Sequence, residues 1–332
     1  MPSIYLKDKH IERTKEETHG AIGETVDLQK EPRVTLSFFL SRHNNEEDLE
    51  GFESAFKDAD VLMIEVLNWM PNTEDIYNRI SMGNVDKNDL SALDIVRQST
   101  NPAFQYALIK KLYGSKKTVI FPDVPGNHEL AQRINVSNTQ LREAINRYRT
   151  SLLSGKLDEA VAYYREWLDL SSQIQQLRED FIRYRIRSEL KALKRYPKFR
   201  GKDEIKVLQI IGAGHSSLVD ILKKDGVAVA TILPESNDDE PLEVTILRKR
   251  INEEEIQDEL CTRAMIENIL QSIVWSVEGR GISHSERSLL DNLTLGDIND
   301  LALKLAAESD VRRKIGIIFE LIVEKDPAGS DV

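Results

Sequence analysis

The sequence has little of the material from which disulfides, zinc clusters and membrane spans are made. Its 332 residues include one cysteine, Cys261, which has no partner for an internal disulfide and belongs to no cysteine cluster that binds zinc. No apolar run approaches the ~20 residues that a membrane-spanning helix requires. Residues 1–27 are polar and lack the apolar segment of a secretory signal. We therefore expect a soluble cytoplasmic protein without a membrane span.

Basic residues are outnumbered by acidic ones. The sequence has 45 lysines and arginines and 56 aspartates and glutamates, so its net charge is -11. An acidic chain repels phosphate backbones, so nucleic-acid binding is disfavoured. The basic run at residues 183–200 lies at the end of a predicted helix, where cations complement the helix dipole. A solvated helix face is its simplest interpretation.

Five apolar segments are predicted to form the strands of an α/β sheet. They are rich in β-branched or aromatic residues, and they cover residues 34–40, 60–67, 118–123, 206–211 and 227–233. Between the first two segments, Leu49, Phe52 and Phe56 recur at helical spacing. The resulting order of strand, helix and strand is typical of a parallel sheet.

The remaining pattern predicts three parts. Residues 1–32 lack periodicity and are expected to be a mobile lead-in. Residues 33–240 form the α/β core, which a long helical insertion at about residues 130–200 splits in two. Residues 241–332 form a helical C-terminal part.

Two helices are predicted inside the insertion. Ser137–Gln140 has the pattern of a capping box and predicts a helix start. The second helix covers residues 158–196, and Pro197 ends it. Its predicted apolar stripe consists of Leu170, Ile174, Leu177, Phe181 and Tyr184.

Polar side chains stand where four of the predicted strands end, namely His43, Glu65, Asp123 and His215. The carboxyl ends of parallel strands share one edge of a sheet, and ligands bind there. Two imidazoles and a carboxylate from separate strands suit a divalent metal with a position left open for water. Such a metal lowers the pKa of the bound water and polarises a carbonyl group.

Glu65 is the most informative of these residues. It lies in the run Leu62–Leu67, so its strand is apolar on both faces. A carboxylate in that place is costly unless it is paired, ligated or protonated. The histidines are less specific, since a histidine after a strand is more often a loop residue whose partners are backbone groups.

These residues resemble the motifs of the TraB/Tiki group and its erythromycin-esterase/ChaN relatives. That group has Gly-x-x-His after an early strand, a glutamate at the end of the next strand, and a late Gly-Ala-Gly-His. In this chain Ser41–His43, Ala59–Glu65 and Ile211–His215 follow that order. Arg178–Asp180 is similar to a polar cluster upstream of the last motif, and the resemblance covers residues 34–234.

The resemblance implies an erythromycin-esterase/ChaN-like core sheet and a metal-dependent hydrolase of peptides or small-molecule esters. Its divalent metal, which would be zinc, manganese or cobalt, is expected on His43, Glu65, His215 and Asp123. Arg42 and Arg178 are expected to stabilise an oxyanion or to bind a substrate carboxylate. In a metal-free variant, His43 activates the water and Glu65 fixes the tautomer of that histidine.

Two alternatives remain open. Leu40 stands where the group has glycine, and the loss of glycine's conformational freedom favours a non-catalytic binding or signalling protein on the same fold. Gly212 and Gly214 also resemble the glycine loop of a Rossmann-like site for a nucleotide or S-adenosylmethionine, with Glu235 as its acidic residue. Too few strands follow this loop to complete a doubly wound sheet.

Overall fold

The computed structural model describes most of the chain from Glu31 to Lys325. The described residues are 31–41, 49, 52–97, 102–232, 241–278, 282, 287, 290 and 293–325. Contacts group residues 32–332 into one compact unit, to which all the elements below belong.

A five-stranded sheet forms the centre of the α/β part. Its order is β3-β2-β4-β1-β5, and every pair of neighbouring strands is parallel. The strands are β1 (Arg33–Ser41), β2 (Val61–Ile64), β3 (Thr118–Ile120), β4 (Glu204–Gly212) and β5 (Val229–Ile232). Each strand overlaps one of the five apolar segments identified in the sequence, so the predicted α/β class is confirmed. The finer assignment to an erythromycin-esterase/ChaN-like core stays a prediction.

The described residues also form eleven helices. They are α1 (Phe52–Asp58), α2 (Thr73–Ser81), α3 (Asp94–Arg97), α4 (Pro102–Leu112), α5 (Glu129–Leu153), α6 (Leu157–Leu193), α7 (Ser216–Lys224), α8 (Leu242–Ile251), α9 (Asp258–Glu278), α10 (Leu295–Ala307) and α11 (Val311–Lys325). Short 3-10 turns cover Lys87–Ala92, Pro197–Phe199 and Ala213–His215. None of these helices is long and apolar enough to cross a bilayer.

Both faces of the sheet are buried, which explains why its strands are continuously apolar. Successive strand residues point to opposite faces, so Leu62 and Met63 enter different cores. On the face of Met63, the C-terminal half of α6 packs through Ile182 and Ile186. We call this face the α6 face. Glu65, two residues beyond Met63, continues along it.

The helices outside the sheet build a third core. Buried side chains of α5 and the N-terminal half of α6, such as Tyr164 and Trp167, pack with Met265 of α9 and Leu301 of α10. The predicted insertion and the predicted C-terminal part thus contribute side chains to one core. Local periodicity does not reveal this sharing, because the partners are distant in sequence.

Two local predictions in the insertion are wrong. Residues 137–140 lie inside α5, which begins earlier because the Nδ1 atom of His128 accepts a hydrogen bond from the Leu130 N–H at 3.1 Å. The buried stripe of α6 is also displaced from the predicted one. Leu177 and Tyr184 are exposed, whereas Ile182 is fully buried against the sheet.

The basic run at residues 183–200 is engaged in local contacts. Arg183 donates to Asp225 through Nε at 2.6 Å, and Arg185 pairs with Glu189 at 3.0 Å. Lys198 Nζ donates to Thr118 Oγ1 at 3.0 Å, which ties the end of the insertion to β3. Arg187, Lys191 and Arg195 are exposed, as expected for a solvated helix face.

A pair of leucines on α10 tests the shared helical core. Leu301 is 1% exposed and Leu303 is 46% exposed. We expect Leu301→Ala to lower the free energy of unfolding by about 2–5 kcal/mol, because it leaves a cavity in the core. Leu303→Ala is the matched control and should cost less than about 1 kcal/mol. Urea unfolding followed by circular dichroism measures both, and equal losses would show that α10 does not pack as described.

Candidate functional site

Glu65 lies at the carboxyl edge of the sheet, directly after β2. Its backbone N–H donates to the Ile210 carbonyl at 3.0 Å, which continues the pairing of β2 with β4. One carboxylate oxygen, Oε2, accepts the Gly212 N–H at 2.6 Å, and the other, Oε1, accepts Arg178 Nη2 at 2.7 Å. The side chain is 13% exposed. The carboxylate that the sequence predicted to need a partner therefore has several.

Gly212 permits this close approach. A Cβ atom at position 212 would stand 3.3 Å from Glu65 Oε2, which is tighter than most contacts of real Cβ atoms. The Gly214 carbonyl accepts a hydrogen bond from the Gln175 side chain. Because the Gly212 N–H serves the Glu65 carboxylate, it is not free to cradle a phosphate, which weighs against the nucleotide alternative. Glu235, the acidic residue of that alternative, lies outside the described residues.

Arg178 of α6 bridges two carboxylates at the sheet edge. Its Nη2 atom lies 2.6 Å from Asp123 Oδ2 and 2.7 Å from Glu65 Oε1. Asp123 is fully buried, and its Oδ1 atom also accepts the Val124 N–H at 2.7 Å. Burial alone would lower the pKa of Arg178, but the charges and hydrogen bonds of Asp123 and Glu65 outweigh it and raise that pKa. The guanidinium is therefore a fixed positive charge.

The loop after β2 helps to hold Asp123 in place. Trp69 Nε1 donates to the Asp123 carbonyl at 2.8 Å, and the Asn68 N–H donates to the Val124 carbonyl at 2.9 Å. The backbone of Gly126 packs close to the same loop, because a Cβ atom at position 126 would lie 2.9 Å from the Asn68 carbonyl oxygen. The end of β3 and the end of β2 are thus fastened side by side.

His215 stands between two carboxylates. Its Nε2 atom lies 3.1 Å from Glu65 Oε1, and its Nδ1 atom lies 3.1 Å from Glu179 Oε1. Both ring nitrogens donate only when the imidazole is protonated. Burial alone would lower the pKa of His215, but the charge of Glu65 and the hydrogen bonds to both glutamates outweigh it and raise the pKa to about 9. His215 is therefore an imidazolium at neutral pH.

Glu179 is a member of the site that was not predicted individually, although it lies in the polar cluster Arg178–Asp180 noted in the sequence. It follows Arg178 on α6 and is 3% exposed. Gln175 Nε2 and Ser217 Oγ each donate to its carboxylate at 2.8 Å. A signal was present, because Glu179 precedes Ile182 by three residues and Ile186 by seven, which places it on the buried stripe of the helix.

Together the three carboxylates of Glu65, Asp123 and Glu179 and the two cations Arg178 and His215 form one buried cluster. Removing so many charges from water costs free energy, which the mutual hydrogen bonds offset. Taking away one member would leave its partners buried and unpaired, and that is strongly destabilising.

The structure brings four of the predicted site residues together, namely Glu65, Asp123, Arg178 and His215. Arg42 and His43 lie outside the described residues. Ser41, which precedes them, pairs with Gly212 in the β1–β4 register. Leu40, the residue in place of glycine, is buried in the core of the α6 face.

The described residues do not fit a metal ion. Within them, no group of three or more histidine, cysteine, aspartate or glutamate side chains is placed to hold one. Both nitrogens of His215 face carboxylates, and the guanidinium of Arg178 already bridges Glu65 and Asp123. The divalent metal stays a prediction, because His43 was one of its expected ligands.

Comparison of the chain with protein-family models, with curated proteins and with solved structures found no match in any of the three. The likeness to the TraB/Tiki group and its relatives therefore stays a prediction from the motifs.

The charged state of His215 predicts how stability depends on pH. Because the pKa is raised from 6.5 to about 9 on folding, the stabilisation is complete below pH 6.5 and is lost as the pH rises through about 9. The loss should be on the order of 3 kcal/mol. Urea unfolding between about pH 6 and pH 10 measures it, with His215→Gln as the control that lacks this dependence. An identical pH profile in the two proteins would contradict the charged imidazole.

Proposed function

We propose that this chain hydrolyses carboxylic esters or peptide bonds at the carboxyl edge of its sheet. The observation that supports this most directly is the buried imidazole of His215, whose two nitrogens each face a carboxylate beside the guanidinium of Arg178. Titratable groups whose pKa values are strongly shifted concentrate at functional sites. The edge where they meet is also where ligands bind in parallel sheets.

His215 acts as the acid of the reaction. With a pKa of about 9 it carries its proton at neutral pH, so it is not the group that removes a proton from water. Its Nε2–H points to Glu65 Oε1, an oxygen that it shares with Arg178. A substrate oxygen or nitrogen that enters beside Glu65 receives this proton as it leaves the acyl group.

The base is His43, as the motif resemblance implies. Ser41 pairs with Gly212, whose N–H binds Glu65, and His43 follows Ser41 by two residues. His43 takes a proton from water, the water oxygen bonds to the carbonyl carbon, and the bond to the leaving group breaks. Solvent then returns the proton from His43 to His215.

Arg178 stabilises the charge that develops on the carbonyl oxygen, with Arg42 as a second candidate. The Arg178 side chain is 16% exposed and that of Glu65 is 13% exposed, whereas Asp123 and Glu179 are almost fully buried. A substrate therefore meets the Arg178–Glu65 pair first. Fixed donors at a developing oxyanion contribute large rate enhancements in sites that exclude water.

A second candidate is a binding or signalling protein without catalysis. Two observations favour it. The carboxylates of the cluster are all bound to internal donors, and Leu40 fills the place where related motifs have glycine. In this alternative the cluster fastens α6 to the sheet and the ligand binds outside it.

Hydrolysis assays with matched variants test the proposal. Purified protein is assayed with p-nitrophenyl esters and with a fluorescent casein, in chelator and with added zinc, manganese or cobalt. We expect activity in chelator, and we expect His215→Gln and His43→Gln to lower it by at least about 100-fold. His10→Gln is the control histidine and should leave the rate unchanged. Circular dichroism checks that each variant is folded.

Two outcomes would contradict the proposal in different ways. Loss of activity in chelator, restored by one of the metals, would replace the acid–base role of His215 with metal-dependent hydrolysis. Absence of hydrolysis in every condition, from a folded protein, would remove the hydrolase and support the binding protein.

A further inference from the structure

A second candidate site lies in the helical part, where α5 meets α9, α10 and α11. The groove between them has a volume of about 220 Å³. Its walls include Leu153 of α5, Ile269 and Ile273 of α9, and Leu305 of α10, with Arg149 and Lys314 as its cations. The groove shares no residue with the cluster around Glu65. It exists only because the insertion packs against the C-terminal helices.

Arg149 has a hydrogen-bond donor with no acceptor. Its Nη2 atom donates to Ser272 Oγ at 3.1 Å, and the Ser272 hydroxyl donates a hydrogen bond to the Asn268 carbonyl at 2.8 Å. The Nε atom of Arg149 is buried and has no hydrogen-bond partner among the described residues. Because this Nε atom is buried and the guanidinium also interacts with the Tyr148 hydroxyl, an anion in the groove would be attracted by the charge of Arg149 and not by its unpaired Nε.

The groove is positive in a chain that is acidic overall. Its lining holds Arg149 and Lys314 but no acidic side chain, although the net charge of the chain is -11. Neither cation forms a salt bridge within the part of the chain that the structure describes. The charge of Glu243 reaches Arg149, but burial raises the pKa of the Glu243 carboxyl. The groove therefore offers two cations to an incoming anion, and the Glu243 carboxyl offsets part of the charge of Arg149 but is not part of the lining.

The groove is small, and apart from the two cations and Ser272 and Ser276 its lining is apolar. Typical pockets for drug-sized ligands have volumes of about 300–1,000 Å³, so this groove takes something smaller. We propose that it binds a monocarboxylate with a short alkyl chain. The carboxylate lies against Arg149 and Lys314, and the chain lies between Leu153, Ile273 and Leu305. This inference is independent of the proposed hydrolase, since it uses other residues.

Calorimetric titration of the full-length protein with octanoate tests the site. Octanol and octylammonium have the same chain with no charge or the opposite charge. We expect octanoate to bind once per chain, with a Kd below about 1 mM, and octanol to bind at least about tenfold more weakly. Lys314→Gln and Arg149→Gln should each weaken octanoate binding by at least about fivefold. Lys304→Gln, on α10 but outside the groove lining, is the matched control and should have no effect.

Three results would overturn the site. They are equal binding of octanoate and octanol, which would indicate adsorption to apolar surface only; absence of octanoate binding; and an equal loss in Lys304→Gln and Lys314→Gln. Lys314 lines the groove from α11 and Arg149 lines it from α5, so the Lys314 variant decides the question even if Arg149→Gln does not fold.

Discussion

The bridge from Arg178 to Glu65 and Asp123 is the interaction on which the α/β part of this structure depends. It joins a helix of the insertion to the ends of two neighbouring strands, through contacts of 2.6 and 2.7 Å. Each partner is costly to bury alone, so the strand ends and the helix must assemble together. The bridge also fixes the position of the next residue on the helix, Glu179, and hence the carboxylate that faces His215.

The contacts of His215 determine the chemistry that the site can support. Burial and the nearby charge of Arg178 lower the pKa of His215, but the charge of Glu65 and the hydrogen bonds to Glu179 and Glu65 outweigh them and raise it, so the imidazole keeps its proton. A histidine in that state is an acid, which changes the role that the motif alone would assign to it. The Glu179 carboxylate binds the other ring nitrogen of His215, Nδ1. Ser217 and Gln175 donate hydrogen bonds to Glu179 and hold it in place. The charge state of His215 thus depends on side chains of α6, a helix that is distant from it in sequence.

Much of this was predictable from the sequence, for physical reasons that can be stated. The five strands were found because runs such as 61–64 are apolar on both faces, as strands covered by helices must be. Glu65 was found because a carboxylate in such a run needs a partner. His215 and Asp123 were found because the ends of parallel strands meet at one edge.

The rest depended on long-range packing that local patterns do not contain. The stripe predicted for α6 included Tyr184, which is exposed, because the helix turns its other side to the sheet. With the stripe misplaced, Glu179 was not recognised as buried. The start of α5 was misplaced because a local capping pattern at 137–140 was preferred over the cap at His128. The shared helical core could not be predicted, since its partners are more than 100 residues apart, as Trp167 and Leu301 are.

A double-mutant cycle on Arg178 and Asp123 tests the bridge most directly. Arg178→Met alone should cost about 3–5 kcal/mol of unfolding free energy, because it leaves two buried carboxylates unpaired. Adding Asp123→Asn should return part of that loss, so that the two changes differ from additivity by more than about 1 kcal/mol. The more exposed pair Arg183 and Asp225 serves as the control and should couple less strongly than Arg178 and Asp123. Strictly additive effects at Arg178 and Asp123 would contradict the bridge and the site built on it.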